Sequence, residues 1–370
     1  MIDITKREKI NIVDKPISVI GLGKSGTSAA ELAHHLGAQV KISDSSDNID
    51  VNKNADQMFA KGISVETGGH SKTIYDSNLW IISPGIDKNS DVIKKAKKLN
   101  IPIVGEIEFA SWFTNSSIIA VTGSNGKTTT VNALNEMCQT RNLKGMLGGN
   151  IGTPFSSNVL DEIIQKSQNN IHILEISSFQ METIVHFKPN ICVFLNISPD
   201  HLNRHGTIEE YLRMKLNMAK NLNRDDSIVY NIDDNKLKDS FKNYSAKQIP
   251  FSTLISNTTI CAKGTKIKDS KGNILISKKD IAISGEHNLL NLLAAATAAK
   301  IVKIPNEKIA NVFKSFTGVP HRLEKVITKN NITYINDSKA TNLDSVIVAI
   351  KSIKMPIVLL MGGLNKGTDF

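Results

Sequence analysis

The sequence predicts an α/β fold built on mainly parallel sheets, and three observations carry that prediction. Two glycine-rich loops each sit between an apolar strand and a helical segment, polar residues follow several further short strands, and strands alternate with helical segments along the chain. In such folds ligands bind outside the carboxyl ends of the strands, so the loops at those ends are the candidate sites. A length of 370 residues suggests two or three domains with cores of ordinary size.

The first unit opens with an apolar strand, Ile17 to Ile20, that runs into Gly21-Leu22-Gly23-Lys24-Ser25-Gly26. Thr27 to Leu36 follows with helical spacing, and a second strand, Val40 to Ile42, closes on Asp44. This is a G-x-G-x-x-G fingerprint with an acidic residue about 20 positions on, as a dinucleotide-binding βαβ unit requires. The motif itself reads only phosphates at a helix N-terminus, so NAD and a UDP-linked ligand both fit it. A second nucleotide loop later in the chain weighs against a redox role. Ile81-Ile82-Ser83-Pro84-Gly85 is another strand running into a ligand-side loop.

That second loop is Val121 to Thr130, V-T-G-S-N-G-K-T-T-T, between a strand at Ile118 to Val121 and a helix over Thr128 to Cys138. Gly123 and Gly126 let the main chain approach a triphosphate, Lys127 reaches the β- and γ-phosphates, and the Thr128 hydroxyl suits Mg²⁺. Val121 stands where the general P-loop pattern has glycine, but the G-K-T and the strand-to-helix setting remain. Gly123, Ser124, Asn125, Gly126, Lys127, Thr128 and Thr129 therefore form the expected ATP loop.

Downstream, Ile171 to Leu174 is a strand ending at Glu175, where a carboxylate would hold Mg²⁺ against the phosphates. Ile191 to Asn196 is another, followed by Asp200 and His201. Two strand-end groups in one sheet can converge on one metal, although a single Glu or His in such a place is commonly structural. Lys215 lies on a helix-like segment and, on pattern alone, reads as a solvated lysine. His287-Asn288-Leu289-Leu290-Asn291 opens an Ala-rich helix whose amides either contact a base or ribose or cap the helix. After Pro320 a third unit is expected: strand Ile332 to Ile335, polar loop Asn336 to Asn342, helix Leu343 to Ile353, and strand Ile357 to Met361 before Gly362-Gly363.

The net charge of +10 is scattered, and no stretch joins clustered Arg and Lys to stacking aromatics. Nucleic acid is therefore not expected as a partner; the basic excess is compositional drift or suits acidic small molecules. Cys138, Cys192 and Cys261 are odd in number and widely spaced, which points to buried thiols rather than a disulfide framework or zinc site. Met1 to Ile10 lacks an apolar signal core and no apolar run is long enough to span a bilayer, so a cytoplasmic protein is expected.

Taken together, T-G-S-N-G-K-T-T, L-G-G-N-I-G (Leu147 to Gly152), E-I-S-S-F-Q, N-I-S-P-D-H-L-N-R-H-G, G-E-H-N-L-L-N, P-H-R-L-E and N-D-S-K-A-T-N resemble the Mur ligase family from about Val19 to Phe370. Within it, S-S-F-Q and N-D-S-K-A-T-N are similar to the branch that adds D-glutamate to UDP-N-acetylmuramoyl-L-alanine. The resemblance implies a three-domain architecture: a UDP-binding Rossmann-like domain at 1–105, a central P-loop ATPase-like domain at 106–318, and a C-terminal Rossmann-like domain from 319, here partial. It implies a cytoplasmic, monomeric, ADP-forming ligase of peptidoglycan precursor synthesis, working through an acyl phosphate.

Carried over by position, Ser25, Asp44, Ser83, Gly85 and Asn150 would hold the UDP substrate. Asn288, Asn291, Arg322, Asp337 and Lys339 would join the ATP loop, and Thr341 and Lys366 would face D-glutamate. Lys127, Glu175, His201 and Lys215 would be catalytic. Two Mg²⁺ ions are implied, held by Thr128, Glu175, His201 and a Lys215 carbamylated by CO₂. Chains of the family continue past the position of Gly362-Gly363, so the third unit is expected to leave Ile332, Ile357, Leu359 and Leu360 uncovered, and the protein to bind nucleotide but form the amide bond slowly or not at all. The competing expectations are a shortened UDP-sugar and ATP binder that does not ligate, another Mur or folylpolyglutamate-type ligase, and an NAD-dependent oxidoreductase resting on Gly21 to Gly26.

Overall fold

The computed structural model describes residues 1–256, 258–262, 264–353 and 355–363. By contact the chain divides into two compact units: 1–117 with 148–172 and 177–188, and 118–147 with 173–176 and everything from 189 onward.

The first unit is built on a five-stranded sheet of β1 (Pro16–Ile20), β2 (Gln39–Ser43), β3 (Ser64–Glu66), β4 (Leu79–Ile82) and β5 (Ile103–Gly105) in the order β3-β2-β1-β4-β5. All four strand pairings are parallel, with Val19 opposite both Ile42 and Ile81. All of β4 is buried, and its unbroken apolar run L-W-I-I reflects a strand covered on both faces. Helices α1 (Lys24–His35), α2 (Ile49–Ala60), α3 (Asp91–Lys98) and α4 (Glu106–Ser111) belong to this unit. α1 buries small side chains, Ser28, Ala29, Ala30 and Ala33, which permits close packing. Asn48 caps α2 by accepting the Val51 N–H at 3.0 Å. The order reverses direction at β1, which makes the ends of β1 and β4 the topological switch point of the sheet.

The second unit carries a six-stranded sheet in the order β11-β10-β9-β6-β8-β7. Its strands are β6 (Ser117–Thr122), β7 (Lys144–Gly149), β8 (Asn170–Glu175), β9 (Ile191–Phe194), β10 (Ser227–Asn231) and β11 (Lys247–Phe251). Helix α5 (Lys127–Cys138) leaves β6, α6 (Phe155–Gln165) follows β7 and lies in the first unit, and α7 (Leu202–His205) and α8 (Ile208–Leu216) follow β9. A three-stranded antiparallel sheet of β12 (Ile260–Cys261), β13 (Lys266–Asp269) and β14 (Ile274–Ser277) precedes α9 (Glu286–Ile301) and α10 (Asn306–Ser315). α9 packs against α5, and every residue from Leu292 to Ala299 is buried, so it shows no amphipathic stripe. Cys138, Cys192 and Cys261 are free, buried thiols.

The last segment corrects the sequence reading. β15 (Glu324–Lys329) and β16 (Ile332–Asn336) form an antiparallel hairpin, followed by α11 (Leu343–Ser352). The hairpin turns on Asn330 and Asn331, with φ of 51° and 61°, the two positive angles a type I′ turn demands and asparagine tolerates. The expected strand Ile357 to Met361 is not a strand: a strand exists only by pairing, and among the described residues nothing pairs with it. Ile332, Ile357, Leu359 and Leu360 are exposed.

Glu108 anchors the first unit. It is fully buried and accepts the main-chain N–H groups of Val185 (2.9 Å), His186 (2.7 Å) and Phe187 (2.9 Å), with the Trp112 indole N–H at 2.7 Å. The 185–187 stretch is neither helix nor strand, so this carboxylate does for its amides what a ladder would otherwise do. Glu108→Ala removes the carboxylate that these four N–H groups share and is expected to destabilise the fold by roughly 3 kcal/mol or more. A lowered urea midpoint in tryptophan fluorescence checks this; an unchanged midpoint would contradict it.

Candidate active site

The loop after β6 is held open by a frame of side chains from the end of β9. Asn196 and Asn125 bond reciprocally, the Asn125 N–H donating to Asn196 Oδ1 at 2.9 Å and Asn196 Nδ2 to the Asn125 carbonyl at 3.0 Å. Ser124 and Ser198 do the same, with Ser124 Oγ donating to the Ser198 carbonyl and accepting the Ser198 N–H, both at 2.9 Å. Gly126 then turns into α5 at φ 87°, and a β-carbon there would meet Asn291 Oδ1 of α9 at 2.1 Å. Only glycine lets α9 approach the helix start this closely.

Lys127 Nζ donates to the carbonyls of Gly123 and Ser124, each at 2.8 Å. The Thr128 hydroxyl donates to Glu175 Oε2 at 2.8 Å, which brings a hydroxyl and a carboxylate together beside the loop. Lys215 is 1 % exposed; its ammonium donates to the Gly123 carbonyl at 2.9 Å and lies 4.4 Å over the Tyr211 ring. Burial, with Lys127 adding to it, pushes its pKa well below the usual lysine value, while Asp200 and Glu175 oppose the shift. The reading of Lys215 as a solvated lysine on pattern alone is thereby overturned. His201 sits in the left-handed region at φ 54° and starts α7, its Nε2 3.7 Å from Asp200 Oδ2.

Beside the loop lies a cavity of about 450 Å³ whose lining includes Asn125, Gly126, Asn291, Arg322 and Asp337. His287 lines it too; burial, then the charge of Arg322, lowers its pKa to about 4, so it is neutral at pH 7. Asp337 accepts the Leu323 N–H at 3.0 Å, and burial raises its pKa while that bond and Arg322 pull it down. Asn288 is buried one turn into α9, with Nδ2 donating to the Ser284 carbonyl at 2.7 Å. Lys339 and Thr341 are exposed in the loop before α11, and Lys366 lies outside the described residues.

In the first unit the glycine loop closes on the switch point. A β-carbon on Gly21 would meet Ser83 Oγ at 2.6 Å, and one on Gly26 would meet the Gly21 carbonyl at 1.9 Å. Asp44 braces the loop, accepting the Leu22 N–H at 2.7 Å, while Ser25 stands in the first turn of α1 and Gly85 is exposed after β4. Asn150 is exposed in the loop between β7 and α6.

The comparisons with known proteins agree with this geometry. Residues 121–299 match the Mur ligase middle domain, and residues 15–105 match the Mur ligase MurD-like N-terminal domain. A UDP-N-acetylmuramoylalanine–D-glutamate ligase of Koribacter versatilis is 36% identical over 367 residues, covering 98% of this chain and 80% of the relative. One of Bacillus cereus (strain G9842) is 39% identical over 364 residues, covering 96% and 79%. The chain belongs to the Mur ligase family. Two solved Mur-type ligases share its fold at low identity. A pseudomurein peptide ligase type C from Methanothermus fervidus has a TM-score of 0.57 at 21% identity, covering 92% of this chain and 78% of that one. A murein peptide ligase from Psychrobacter arcticus has a TM-score of 0.60 at 18% identity, covering 91% and 75%.

Several contributors escaped the sequence reading. Asn196 opens the N-I-S-P-D-H run, yet nothing in that run assigns it a role, and Ser345 carries no motif; Ser345 donates to Asn125 Oδ1 at 2.6 Å beside Asn342 Nδ2 at 3.1 Å. In a Mur ligase built this way, Gly126→Ala forces Asn291 off the helix start and strains a positive φ. Nucleotide affinity is expected to fall by roughly 10-fold or more in titration calorimetry. Wild-type affinity would mean that α9 yields freely.

Proposed function

We propose that this chain is an ADP-forming ligase that joins D-glutamate to UDP-N-acetylmuramoyl-L-alanine in cytoplasmic peptidoglycan precursor synthesis, and that it works as a monomer. The observation that carries the reading is the Thr128–Glu175 contact beside a P-loop lysine and a buried Lys215, in a chain whose relatives at 36% and 39% identity bear that ligase name. Among the described residues no helix is long and apolar enough to cross a membrane. The proposed domains are 1–105 for the UDP substrate, 106–318 for ATP and 319–370 for closure.

In this reading the Gly123 to Thr129 loop cradles the triphosphate, and Asn288, Asn291, Arg322, Asp337 and Lys339 complete the nucleotide site. A carboxylate is a poor electrophile until one oxygen becomes a leaving group. The substrate's alanyl carboxylate oxygen therefore attacks the γ-phosphorus, the bond to the β-phosphate oxygen breaks, and ADP departs. Lys127 neutralises charge on the transferring group. The D-glutamate amine, deprotonated, then attacks the acyl phosphate carbon, and phosphate leaves from the tetrahedral intermediate. Ser25, Asp44, Ser83, Gly85 and Asn150 orient the UDP substrate; Thr341 and Lys366 orient D-glutamate.

The oxygens of Thr128 and Glu175, already 2.8 Å apart, suit a hard divalent cation, with His201 and Lys215 completing the set. Mg²⁺, two ions in this reading, supplies charge neutralisation at the phosphate oxygens when bound. Lys215 is suited to carbamylation because burial favours its neutral amine, whose nitrogen lone pair adds to the carbon of CO₂ with loss of a proton.

The direct test is ADP release from ATP with each substrate present and withheld; release independent of D-glutamate would remove the ligase assignment. Lys127→Ala is expected to lower ADP release by roughly 100-fold or more with UDP-substrate binding intact. Normal turnover would refute its role. Lys215→Ala is expected to lose activity and recover part of it when acetate supplies a carboxylate to the vacated place. Wild-type activity in that variant, or no response to acetate, would sink the carbamate.

A further inference from the structure

The two loops proposed to hold the UDP substrate, 21–26 and 148–154, are far apart in sequence yet lie in one compact unit. Three helices of that unit, α1, α4 and α6, pack on one another and join them. The 148–154 loop is tightly built. The Gly149 N–H donates to the Thr153 carbonyl at 3.0 Å, and a β-carbon on Gly148 would meet that carbonyl at 2.5 Å. Helix α6 starts directly after it, with Pro154 at the N-cap position and no side-chain cap of its own.

The missing cap comes from another element. Glu106, the first residue of α4 and only 2 % exposed, accepts the main-chain N–H of Ser156 at 2.5 Å. A residue further along, Ser157 Oγ bonds Ser28 Oγ of α1 at 2.8 Å, and α1 is the helix whose start carries the first glycine loop. Burial raises the Glu106 pKa to about 7, against the bond from the Ser156 N–H. A buried carboxyl in that position is costly and needs a reason beyond filling space.

We propose that Glu106 is a positioning residue: through the first turn of α6 it fixes the 148–154 loop, and so Asn150, relative to the Gly21–Gly26 loop, so that the unit reads the muramoyl part of a UDP-sugar together with its pyrophosphate. The proposal rests on the substrate reading above, and Glu106 itself does not touch substrate. Without its acceptor, the Ser156 N–H at a buried helix start loses its partner, the first turn of α6 frays, and the loop loses its register. The pyrophosphate loop keeps its own bonds to Asp44 and the switch point, so UDP recognition is untouched.

The test uses the full chain and calorimetry with UDP-N-acetylmuramoyl-L-alanine, UDP alone and ATP. Glu106→Leu is expected to weaken the full substrate by roughly 10-fold or more while UDP and ATP change by less than about 2-fold. Glu106→Gln, whose amide oxygen still accepts an N–H, is expected to restore most of the loss. Hydrogen exchange over residues 150–158 should quicken in Glu106→Leu and not in Glu106→Gln. Should Glu106→Leu fail to fold, Glu106→Asp, one methylene too short, carries the same expectation. Equal weakening of all three ligands, or unchanged affinity for the full substrate with wild-type binding intact, overturns the positioning role alone. A wild-type chain that binds UDP but not UDP-N-acetylmuramoyl-L-alanine overturns the substrate reading and this proposal with it.

Discussion

The reciprocal bond between Asn125 and Asn196 is the contact on which the nucleotide site depends. A loop whose N–H groups are to face an anion cannot turn them inward to its own carbonyls, so something else must hold its backbone. The Asn196 side chain supplies both a donor and an acceptor to the Asn125 main chain, the Asn196 carbonyl accepts the Ser124 N–H at 3.0 Å, and the Ser124 hydroxyl in turn bonds the Ser198 main chain. Both come from the chain leaving β9, the neighbour of β6, so parallel pairing sets the frame before any ligand binds. The absence of a side chain at Gly126 then admits Asn291, which ties α9 to the same helix start.

That frame also explains why Lys215 can be buried. An ammonium taken from water needs compensation, and here the Gly123 carbonyl and the Tyr211 ring face provide part of it, with Asp200 and Glu175 acting over a longer range. Lys127, close by and of the same charge, works against it. The balance lowers the lysine's pKa and so favours the neutral amine, which is a nucleophile where an ammonium is not. A carbonyl of the phosphate loop thus takes part both in ATP-loop geometry and in setting the chemistry of a lysine some ninety residues away in sequence.

In the first unit the organising element is short. All six residues of α4 are buried, and two of them are carboxylates that reach in different directions, Glu106 to the start of α6 and Glu108 to the 185–187 stretch. Each satisfies main-chain donors that no helix or sheet would satisfy. Sequence-distant segments are joined through charge-assisted bonds, which are directional where apolar packing is not.

By itself the sequence determined the two glycine-rich strand-to-helix loops, because glycine spacing, an apolar strand before and a helix after leave few other conformations for Gly21 to Gly26 and Gly123 to Thr128. It also placed Asp44 and Glu175 at strand ends, since short apolar runs ending in a polar residue mark where a parallel strand meets its ligand side. The Asn330-Asn331 pair, which tolerates positive φ between two extended runs, makes Ile332 to Ile335 the second strand of an antiparallel hairpin rather than the opening strand of a third unit. Only the tertiary structure decided the rest. Nothing local in Lys215, Asn196, Glu106 or Glu108 distinguishes an exposed polar residue from a buried one, because burial is set by what packs over a position. That covering comes from segments far along the chain, and their approach is fixed by strand order and helix packing rather than by any neighbouring residue.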